Sequence, residues 1–394
     1  MSVKIKGTGV VTKYRWVVLL VVVFVSVVAA INYFKPPPIM PILIETFGLD
    51  YAMASLLMSS FSISAVIISL PTGSLTERFG PKKVGSLMLI CLTIGSIIGG
   101  FAPNYTTLLA SRFLEGFAFG SALIFAPALI TMWFPPNELG KALGIFAPCV
   151  PIGMLLSYAV APALATTSWQ NMWWFTTLLS IVACVLFVAL VKIPPTIITY
   201  KEEKKASGVA AYRHADIWLV AFGWLCFNFA AIGFSTWLPT HLTEIGYPLR
   251  LASVVSTIPM VMCIPIGPIA GAVVDKIKSM KKLIVTSCIL SGIAFPLYIF
   301  STSNFWILTA YAIVLGTIWG FVPAPTLASS GALLGPKLAS VGLGILNFMS
   351  NIGYLIGPLV LGIIIPMGWY IAFATLAPIC FVGAIAVFFA RRLK

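Results

Sequence analysis

Long apolar stretches that carry almost no charge are the feature that most limits how this chain can fold. Of its 394 residues, 60% are hydrophobic and only 9% are charged. A bilayer core about 30 Å thick needs roughly 20 apolar residues for each helical crossing. The sequence therefore predicts an all-α polytopic membrane protein rather than a set of soluble domains.

Twelve stretches meet this requirement when boundaries are drawn at charges, at Gly, Pro and Asn clusters and at aromatic edges. The predicted spans, numbered 1 to 12, cover residues 16–44, 51–74, 84–102, 106–132, 139–163, 169–191, 215–242, 250–274, 283–301, 304–330, 338–365 and 368–390. The most polar internal stretch lies between spans 6 and 7, and its mixed charges are typical of a solvated connector. We expect an N-terminal six-helix bundle over 1–191, a cytosolic linker over 192–214 and a C-terminal six-helix bundle over 215–394.

The net charge of +14 comes from basic residues at one set of span ends. Of the 24 Lys and Arg residues, all except Lys35, Arg112 and Arg250 lie on the side of the membrane that holds both termini. The positive-inside rule places that side in the cytosol. A nucleic-acid partner would instead require the basic residues on one soluble face. We therefore expect a multi-pass protein of the cell membrane, surrounded by lipid, with no nucleic acid bound.

The sequence offers no residue pattern for enzyme chemistry. The seven cysteines lie singly in apolar stretches, without the spacing of a metal or redox site. A nucleophile–base set and a phosphate-binding loop are also missing from the sequence. We expect neither a cofactor nor a metal, and we expect the chain to function as a monomer.

Two sequence matches indicate an internal repeat. LGIFAPCVPIG at 143–153 and LGILNFMSNIG at 343–353 share five residues at an offset of 200. GSLTERFGPKK at 73–83 and GAVVDKIKSMKK at 271–282 both have a glycine, then an acid, a base and a basic pair. Repeats of this kind commonly place a substrate site near the bilayer midplane where the halves meet. The two bundles are therefore predicted to be pseudo-symmetric.

These motifs resemble the major facilitator superfamily, and the resemblance extends over essentially the whole chain. The segment GSLTERFGPKK is similar to the family's loop between spans 2 and 3, with Glu77 where aspartate is usual. WFPPNELGKALGI, 133–145, is similar to a loop of many anion-transporting members, and Arg112, Gly116 and Gly120 follow a pattern like the family's fourth-span motif. The resemblance implies two six-helix bundles that rock about a central cavity.

A cytosolic gate is also implied by the resemblance. Its candidate residues are Gly73, Glu77, Arg78, Glu138, Gly271, Asp275 and Lys276. Glu77 and Arg78, with Glu138 on the same membrane face, are predicted to form a breakable latch that biases one access state by about 1 kcal/mol. Gly73 and Gly80 are predicted to let the chain turn tightly between spans. For Lys82 and Lys83 in this loop, the alternative is that they only anchor the topology.

Three charged residues lie inside predicted spans: Lys35, Arg112 and Glu115. A central lysine costs roughly 2.5–3.5 kcal/mol on insertion scales, so charges at this depth indicate a functional site. Lys35 lies about 13 Å from the outer end of span 1, and Arg112 lies about 9 Å into span 4 from the same side. Glu115 shares a helical face with Arg112. Since the family's fold places spans 1 and 4 side by side at the cavity, the three side chains are expected to be able to meet.

The segment INYFKPPPIMPIL, 31–43, breaks span 1 at its lysine. Prolines lack an N–H group and free the carbonyls of the preceding turn. Unwound backbone at membrane depth is tolerated where it lines a cavity or packs within protein. We therefore predict that Lys35, Asn32 and Tyr33 form a polar pocket wall whose ammonium binds an anionic substrate. The alternative is that Lys35 snorkels to the outer headgroups.

Other polar groups inside the spans each allow two interpretations. Arg112 is predicted to bind substrate and Glu115 to carry a coupling proton, or the pair only neutralises itself and holds helices together. In the second half, the candidates for substrate contact are Asn228, Trp319, Asn347 and Asn351. Hydrogen bonding between helices is the alternative for the asparagines. Most other tryptophans lie near predicted span ends and indicate an aromatic belt.

Two narrower resemblances leave the subfamily open. Trp16, followed by Lys35 after an aromatic residue, looks like the first span of monocarboxylate transporters, where that lysine engages the carboxylate. Their charged pair in the eighth span is missing here. WLPTHLTEIGY and LNFMSNIGYLIGP look like segments of cyanate-permease or nitrate-porter relatives, whose paired substrate arginines are missing as well.

The sequence thus predicts a secondary active transporter that moves a small anion, such as a monocarboxylate, by alternating access, with the proton as a candidate coupling ion. One alternative is an efflux carrier for apolar drugs or metabolites, which the apolar second half favours. Another is a non-transporting receptor or scaffold, which would predict a sizeable soluble domain. Anion binding is expected to depend on Lys35, whereas drug binding is expected to survive its removal.

Overall fold

The computed structural model describes residues 9–194, 212–335 and 338–393, and its regular structure there is entirely helical. Twelve helices or pairs of helices are long and apolar enough to cross a membrane, which confirms the predicted number of spans. The helices are Gly9–Phe34, Met40–Phe47, Tyr51–Phe79, Pro81–Gly100, Tyr105–Trp133, Pro136–Phe146, Cys149–Leu164, Gln170–Leu190, Ala215–Glu244, Leu249–Ile277, Met280–Ser301, Phe305–Gly320, Pro323–Leu334, Ala339–Ile364, Trp369–Ala374 and Leu376–Phe389. Most of the predicted linker, 192–214, lies outside the described residues.

Prolines lie at or beside several of the interruptions within spans. Span 1 stops at Phe34, makes a 3₁₀ turn over Pro37–Ile39 and resumes at Met40. Span 5 is interrupted before Cys149, where Pro148 precedes the second helix, and the second helix of span 10 begins at Pro323. A proline cannot donate the hydrogen bond that would continue the helix behind it. The break predicted in span 1 is therefore observed.

The bundles are related by a shift of six spans. In the N-terminal bundle, span 1 packs on span 5, span 2 on span 4 and span 3 on span 6. In the C-terminal bundle, span 7 packs on span 11, span 8 on span 10 and span 9 on span 12. Between the bundles, span 2 packs on span 11 and span 5 on span 8. The same pairings in both halves confirm the pseudo-symmetric arrangement predicted from the internal repeat.

The loops predicted between spans 2 and 3 and between spans 8 and 9 are mostly helix, so this expectation was wrong. Span 2 continues as helix to Phe79, and Gly73 lies inside it rather than at a turn. Gly80 alone reverses the chain, with a φ of 84° that favours glycine. Span 8 likewise continues to Ile277 and ends at Lys278 in the left-handed conformation. Polar residues here mark helix ends that extend beyond the apolar segment.

Hydrogen bonds between the bundles lie in the middle and outer parts of the molecule, away from the face that the positive-inside rule assigns to the cytosol. We call that face the predicted cytosolic face. The bonds join the Tyr51 hydroxyl to Glu244 Oε1 at 2.8 Å, the Tyr158 hydroxyl to the Ser235 carbonyl at 2.8 Å and Ser59 Oγ to the Leu355 carbonyl at 3.0 Å. Near the predicted cytosolic face, Gly144 and Gly344 have no other packed group within 4 Å of where a Cβ would lie. These three bonds therefore join the bundles away from the predicted cytosolic face, and both glycines near that face lie on open helix surface.

Close packing of span 4 on span 2 depends on glycine. A Cβ built on Gly116 would lie 1.9 Å from the carbonyl oxygen of Phe61 and 2.2 Å from Ser64 Oγ, and one on Gly120 would lie 2.4 Å from the carbonyl oxygen of Ala65. Such small residues let helix backbones approach each other in membranes. These distances give Gly116 and Gly120 a packing role between spans 2 and 4.

We expect Gly116→Ala to lower the thermal unfolding midpoint of the purified protein in detergent, because the added methyl group pushes spans 2 and 4 apart at a cost of about 1–3 kcal/mol. Gly144→Ala is the matched control. Its Cβ meets open space, and alanine favours a helix over glycine by about 1 kcal/mol, so this variant should melt at the native midpoint or above it. Equal midpoints for the two variants would contradict the packing described.

Candidate functional site

Lys35 lies at the break in span 1 and points into the N-terminal bundle. Its side chain has no exposed surface. The ammonium contacts oxygens from four spans: Glu115 Oε1 at 2.5 Å, Asn32 Oδ1 at 3.0 Å, Thr176 Oγ1 at 3.1 Å and Ser96 Oγ at 3.3 Å. It also lies 4.6 Å from the centre of the Trp173 ring. This position excludes the alternative in which Lys35 snorkels to the outer headgroups.

Glu115 is shared between two cations. Its Oε1 accepts from Lys35, and its Oε2 accepts from Arg112 Nη1 at 2.6 Å. Ser96 Oγ donates a further hydrogen bond to Oε1 at 2.8 Å. All three charged side chains are fully buried. The structure thus brings the predicted residues together as one cluster, which carries one net positive charge when all three are ionised.

Arg112 holds the broken backbone of span 1. Its Nη1 donates to the Asn32 carbonyl at 2.6 Å and its Nη2 to the Tyr33 carbonyl at 3.1 Å. In an unbroken helix these two carbonyls would accept from the N–H groups four residues later. Those positions are Pro36 and Pro37, which have no N–H. The guanidinium therefore satisfies the carbonyls that the prolines leave free.

Three further residues at the Lys35 ammonium were missed by sequence reasoning: Ser96, Trp173 and Thr176. Trp173 in particular is fully buried, so its assignment to an aromatic belt was wrong. The spacing of Trp173, Thr176 and Ser180 could have indicated this site. It places three side chains that can form hydrogen bonds on one face of the otherwise apolar span 6. Ser96 stood among small residues in span 3 and gave no comparable signal.

A triangle of three aromatic rings lies across the interface between the bundles beside this cluster, and its third side is the 6.0 Å Phe119–Tyr354 contact, at 39° between the ring planes. The Tyr33 ring lies 5.1 Å from the Phe119 ring, at 15° between their planes, and 5.6 Å from the Tyr354 ring, at 27°. Tyr33 and Phe119 belong to the N-terminal bundle and Tyr354 to span 11. The Tyr33 hydroxyl also reaches the Tyr354 carbonyl at 3.4 Å. The predicted residue Tyr33 is thus part of the interface.

The candidates in the C-terminal bundle make local hydrogen bonds. Asn228 donates to the Trp224 carbonyl at 2.6 Å, and Asn351 donates to the Asn347 carbonyl at 3.0 Å. The Nδ2 of Asn347 is buried and has no hydrogen-bond partner among the described residues. Each of these bonds lies within a single helix, so they are neither substrate contacts nor the hydrogen bonds between helices that were the alternative, and Asn347 keeps a donor to offer.

Trp319 does not lie on an open cavity wall in this conformation. Its side chain is 1% exposed and packs among Phe227, Phe234 and Phe295. All three phenylalanines belong to the C-terminal bundle, so the indole fills the core of that bundle. Its position in the middle of span 10 led us to expect an aromatic residue that contacts substrate, and in this conformation that expectation is wrong.

The predicted gate residues lie at the predicted cytosolic face, on separate bundles. Glu138 pairs with Arg15 of span 1 at 2.7 Å rather than with Arg78, whose guanidinium lies over its neighbour's ring. Glu77 lines a surface groove below spans 2 to 4, and Asp275 lines the corresponding groove below spans 8 to 10. Gly271, Lys276 and Gly73 lie in the helix ends beside these grooves. Their role as a gate stays a prediction for the opposite access state.

The Major Facilitator Superfamily model matches residues 22–353 and 281–394. The chain belongs to the Major Facilitator Superfamily. It is 24% identical to a probable sulfoacetate transporter of Cupriavidus necator, over 97% of this chain and 95% of that protein. It is 24% identical to a hexuronate transporter of Bacillus subtilis, over 93% and 94% of the two chains.

A third relative is the 3-(3-hydroxy-phenyl)propionate transporter of Escherichia coli, which is 26% identical over 87% of this chain and 86% of that protein. Among solved structures, a bacterial homologue of the human lysosomal transporter Spinster, inward-facing and occupied, has a TM-score of 0.77 at 17% identity, over 98% of both chains. The structural likeness supports the fold. This chain is therefore a multi-pass membrane transporter of the superfamily. Transport of organic anions would fit the substrates named for these relatives.

Unequal stability losses are expected when the charges of the cluster are removed one at a time. Glu115→Gln leaves Lys35 and Arg112 as uncompensated buried cations and should cost about 3–5 kcal/mol. Lys35→Met leaves a neutral Arg112–Glu115 pair and should cost clearly less. Thermal midpoints of the ligand-free variants in detergent measure the difference.

The double variant Lys35→Met with Glu115→Gln is the control for this pair. It retains a single cation, Arg112, which still binds the carbonyls of span 1. Its midpoint should therefore lie above that of Glu115→Gln alone. A larger loss for Lys35→Met than for Glu115→Gln would show that the cluster is not organised around the shared carboxylate.

Proposed function

We propose that this chain is a secondary active transporter that moves a small organic monoanion across the cell membrane by alternating access. The observation that carries the proposal is the buried cluster of Lys35, Arg112 and Glu115, in which two cations share one carboxylate. Three relatives that match most of this chain are named as transporters, one of them probable, of sulfoacetate, hexuronate and 3-(3-hydroxy-phenyl)propionate. All three are organic acids, which supports an anionic substrate for this chain.

Charge balance explains why an anion suits this cluster. An uncompensated charge inside a protein or a bilayer is costly, because the low dielectric replaces its hydration. A substrate carboxylate beside Lys35 brings the number of anions to two and the net charge to zero. A lysine ammonium has three N–H donors. It can therefore redirect one or more of them from its present oxygen partners to a ligand carboxylate while the backbone of span 1 stays in place. As long as Glu115 is ionised, the same balance disfavours a dianion, which would leave an excess negative charge.

Access to Lys35 requires movement of the bundles. Its ammonium is fully buried in this closed arrangement, and the Tyr33–Tyr354 contact lies at the interface next to it. The side proposed to open in this arrangement is the predicted cytosolic face, where both termini are proposed to lie. The gate residues Glu77, Arg78 and Asp275 are proposed to meet when that face closes, in a protein that functions as a monomer.

Glu115 is proposed to couple the anion to a proton. Protonation of its carboxyl releases Lys35 from their ion pair and raises the net charge of the cluster, so the proton favours anion binding. Departure of the anion favours loss of the proton, since Lys35 then needs Glu115 as its partner again. Reciprocal coupling of this kind is a thermodynamic requirement once either ligand affects the other.

The anion site is tested by thermal unfolding of the purified protein with a panel of small carboxylates and inorganic anions. A ligand at one hundred times its Kd should stabilise the native protein by about 2.7 kcal/mol. We expect at least one monocarboxylate to raise the midpoint, and Lys35→Ala to abolish the rise. Lys83→Ala, which removes an exposed lysine at the predicted cytosolic face, is the matched control and should respond as the native protein does.

If an anion still raises the unfolding midpoint of Lys35→Ala, the proposed anion site is wrong. If no anion stabilises the native protein, while apolar cations or neutral drugs do, the efflux alternative replaces the proposal.

Proton coupling predicts that anion binding takes up about one proton for each anion bound, because Glu115 gains a proton as Lys35 turns to the ligand. Calorimetric titration in buffers of different ionisation enthalpy counts these protons. The native protein should show uptake, and Lys83→Ala should show the same uptake. Binding with no proton exchange at any pH between 5 and 8 would leave an anion carrier without the coupling proposed.

A further inference from the structure

The ring cluster of Tyr33, Phe119 and Tyr354 holds an aromatic group from one bundle against the other, and Tyr354 contacts both Tyr33 and Phe119, at 5.6 and 6.0 Å. The cluster is buried, with Tyr33 at 0%, Phe119 at 2% and Tyr354 at 8% exposure. Tyr33 and Phe119 belong to the same bundle and stay together when the bundles move as units. Tyr354 belongs to the other bundle and leaves one face of this pair when the interface opens.

Separation of the bundles would therefore expose an aromatic surface next to a buried cation. Aromatic rings stack in offset geometry with centroids 4.5–7 Å apart, which gives about 0.5–1.5 kcal/mol beyond area burial. The contacts of Tyr33 with Phe119 and Tyr354 lie in this range, at 5.1 and 5.6 Å. A planar ring that entered the opened interface would find on Tyr33 and Phe119 the contact that Tyr354 makes here.

The spacing along span 4 relates this surface to the charged cluster. Glu115, whose carboxylate contacts Lys35, and Phe119, which stacks on Tyr33, are one helical turn apart. One turn corresponds to about 6 Å along the helix axis. A ligand with its carboxylate at Lys35 and its ring on Tyr33 would need roughly this distance between the two groups, which matches a linker of about two carbon atoms.

The surrounding side chains disfavour other organic anions. The cluster has one surplus positive charge, and the Asp, Glu, Lys and Arg residues of the described part of spans 7 to 12 lie at the span ends. A second acid group would find no cation there. A polyhydroxylated body would lose its water against the three rings, and each unpaired hydroxyl costs about 1–3 kcal/mol.

We propose that the substrate is an aryl monocarboxylate whose carboxylate binds Lys35 and whose ring stacks on Tyr33 and Phe119 in the place that Tyr354 occupies here. This inference rests on the proposed anion site and names the class of its ligand. Phe119 is then a specificity-determining residue, and the Tyr354 ring is an internal competitor that the ligand displaces.

The test compares Kd values of 3-phenylpropionate and propionate for the native protein in detergent, with sulfoacetate and glucuronate as the dianionic and polyhydroxylated probes. We expect 3-phenylpropionate to bind at least tenfold more tightly than propionate, and more tightly than the other two probes. Phe119→Leu should reduce this preference at least fivefold, and its binding of propionate reports that the variant is folded.

Two tyrosine variants test whether the Tyr354 ring competes with the ring of the ligand. Tyr354→Leu should leave 3-phenylpropionate binding unchanged or tighter, because it removes the competing ring. Tyr311→Leu changes a tyrosine that packs on Tyr298 inside the C-terminal bundle and should leave the preference for the aryl acid as it is.

Each outcome decides between the two proposals. Equal binding of propionate and 3-phenylpropionate, or an unchanged preference in Phe119→Leu, overturns the aryl inference while the anion site stands. Tighter binding of sulfoacetate or glucuronate overturns it as well. If Lys35→Ala binds 3-phenylpropionate as tightly as the native protein does, the anion site itself fails, and the inference fails with it.

Discussion

The hydrogen bonds from Arg112 to the carbonyls of Asn32 and Tyr33 are the interaction on which the rest of the site depends. Pro36 and Pro37 withhold the N–H groups that these carbonyls would otherwise accept, and no water in the bilayer core replaces them. The guanidinium supplies donors in their place, at 2.6 and 3.1 Å. Because span 4 must then approach the break in span 1, it also brings Glu115 next to Lys35. The prolines, the arginine and the lysine thus form one structural unit.

Sharing one carboxylate between two cations gives this unit its chemistry. If Arg112 were the only cation, Glu115 would neutralise it, and the cluster would carry no net charge to attract an ion. Lys35 adds a second positive charge at the same carboxylate, 2.5 Å from Oε1, in a place with no exposed surface. The hydroxyls of Ser96 and Thr176 and the amide of Asn32 stabilise the ammonium without neutralising it. With all three groups ionised, the cluster therefore keeps one positive charge that its own carboxylate does not neutralise, and the proposed anion would balance this charge.

The sequence predicted those parts of the site that depend on depth and covalent geometry. Insertion depth along spans 1 and 4 was enough to place Lys35, Arg112 and Glu115 at one level, and the missing N–H groups of the prolines predicted the break. Contacts that depend on helix rotation were not predictable. Trp173 was assigned to the membrane surface because its position along span 6 is near an end, whereas its orientation places it under the Lys35 ammonium. Glu138 was expected near Arg78 because both lie at one membrane face, but the nearer cation is Arg15 at 2.7 Å. Membrane depth is a one-dimensional coordinate, and it does not determine which neighbour a side chain faces.

The contrast between a symmetric fold and an asymmetric charge distribution has a mechanistic consequence. Spans pair in the same way in both bundles, yet all three buried Asp, Glu, Lys or Arg side chains of the described spans lie in the N-terminal bundle. An anion held by Lys35 would therefore stay with that bundle while the C-terminal bundle moves past it. What the C-terminal bundle contributes at this level is the Tyr354 ring, 5.6 Å from Tyr33. Movement of this ring changes which groups cover the anion without breaking the ion pair that holds it. The proposed mechanism thus assigns binding and access to different bundles, and its barrier to rocking does not include the loss of the main electrostatic contact.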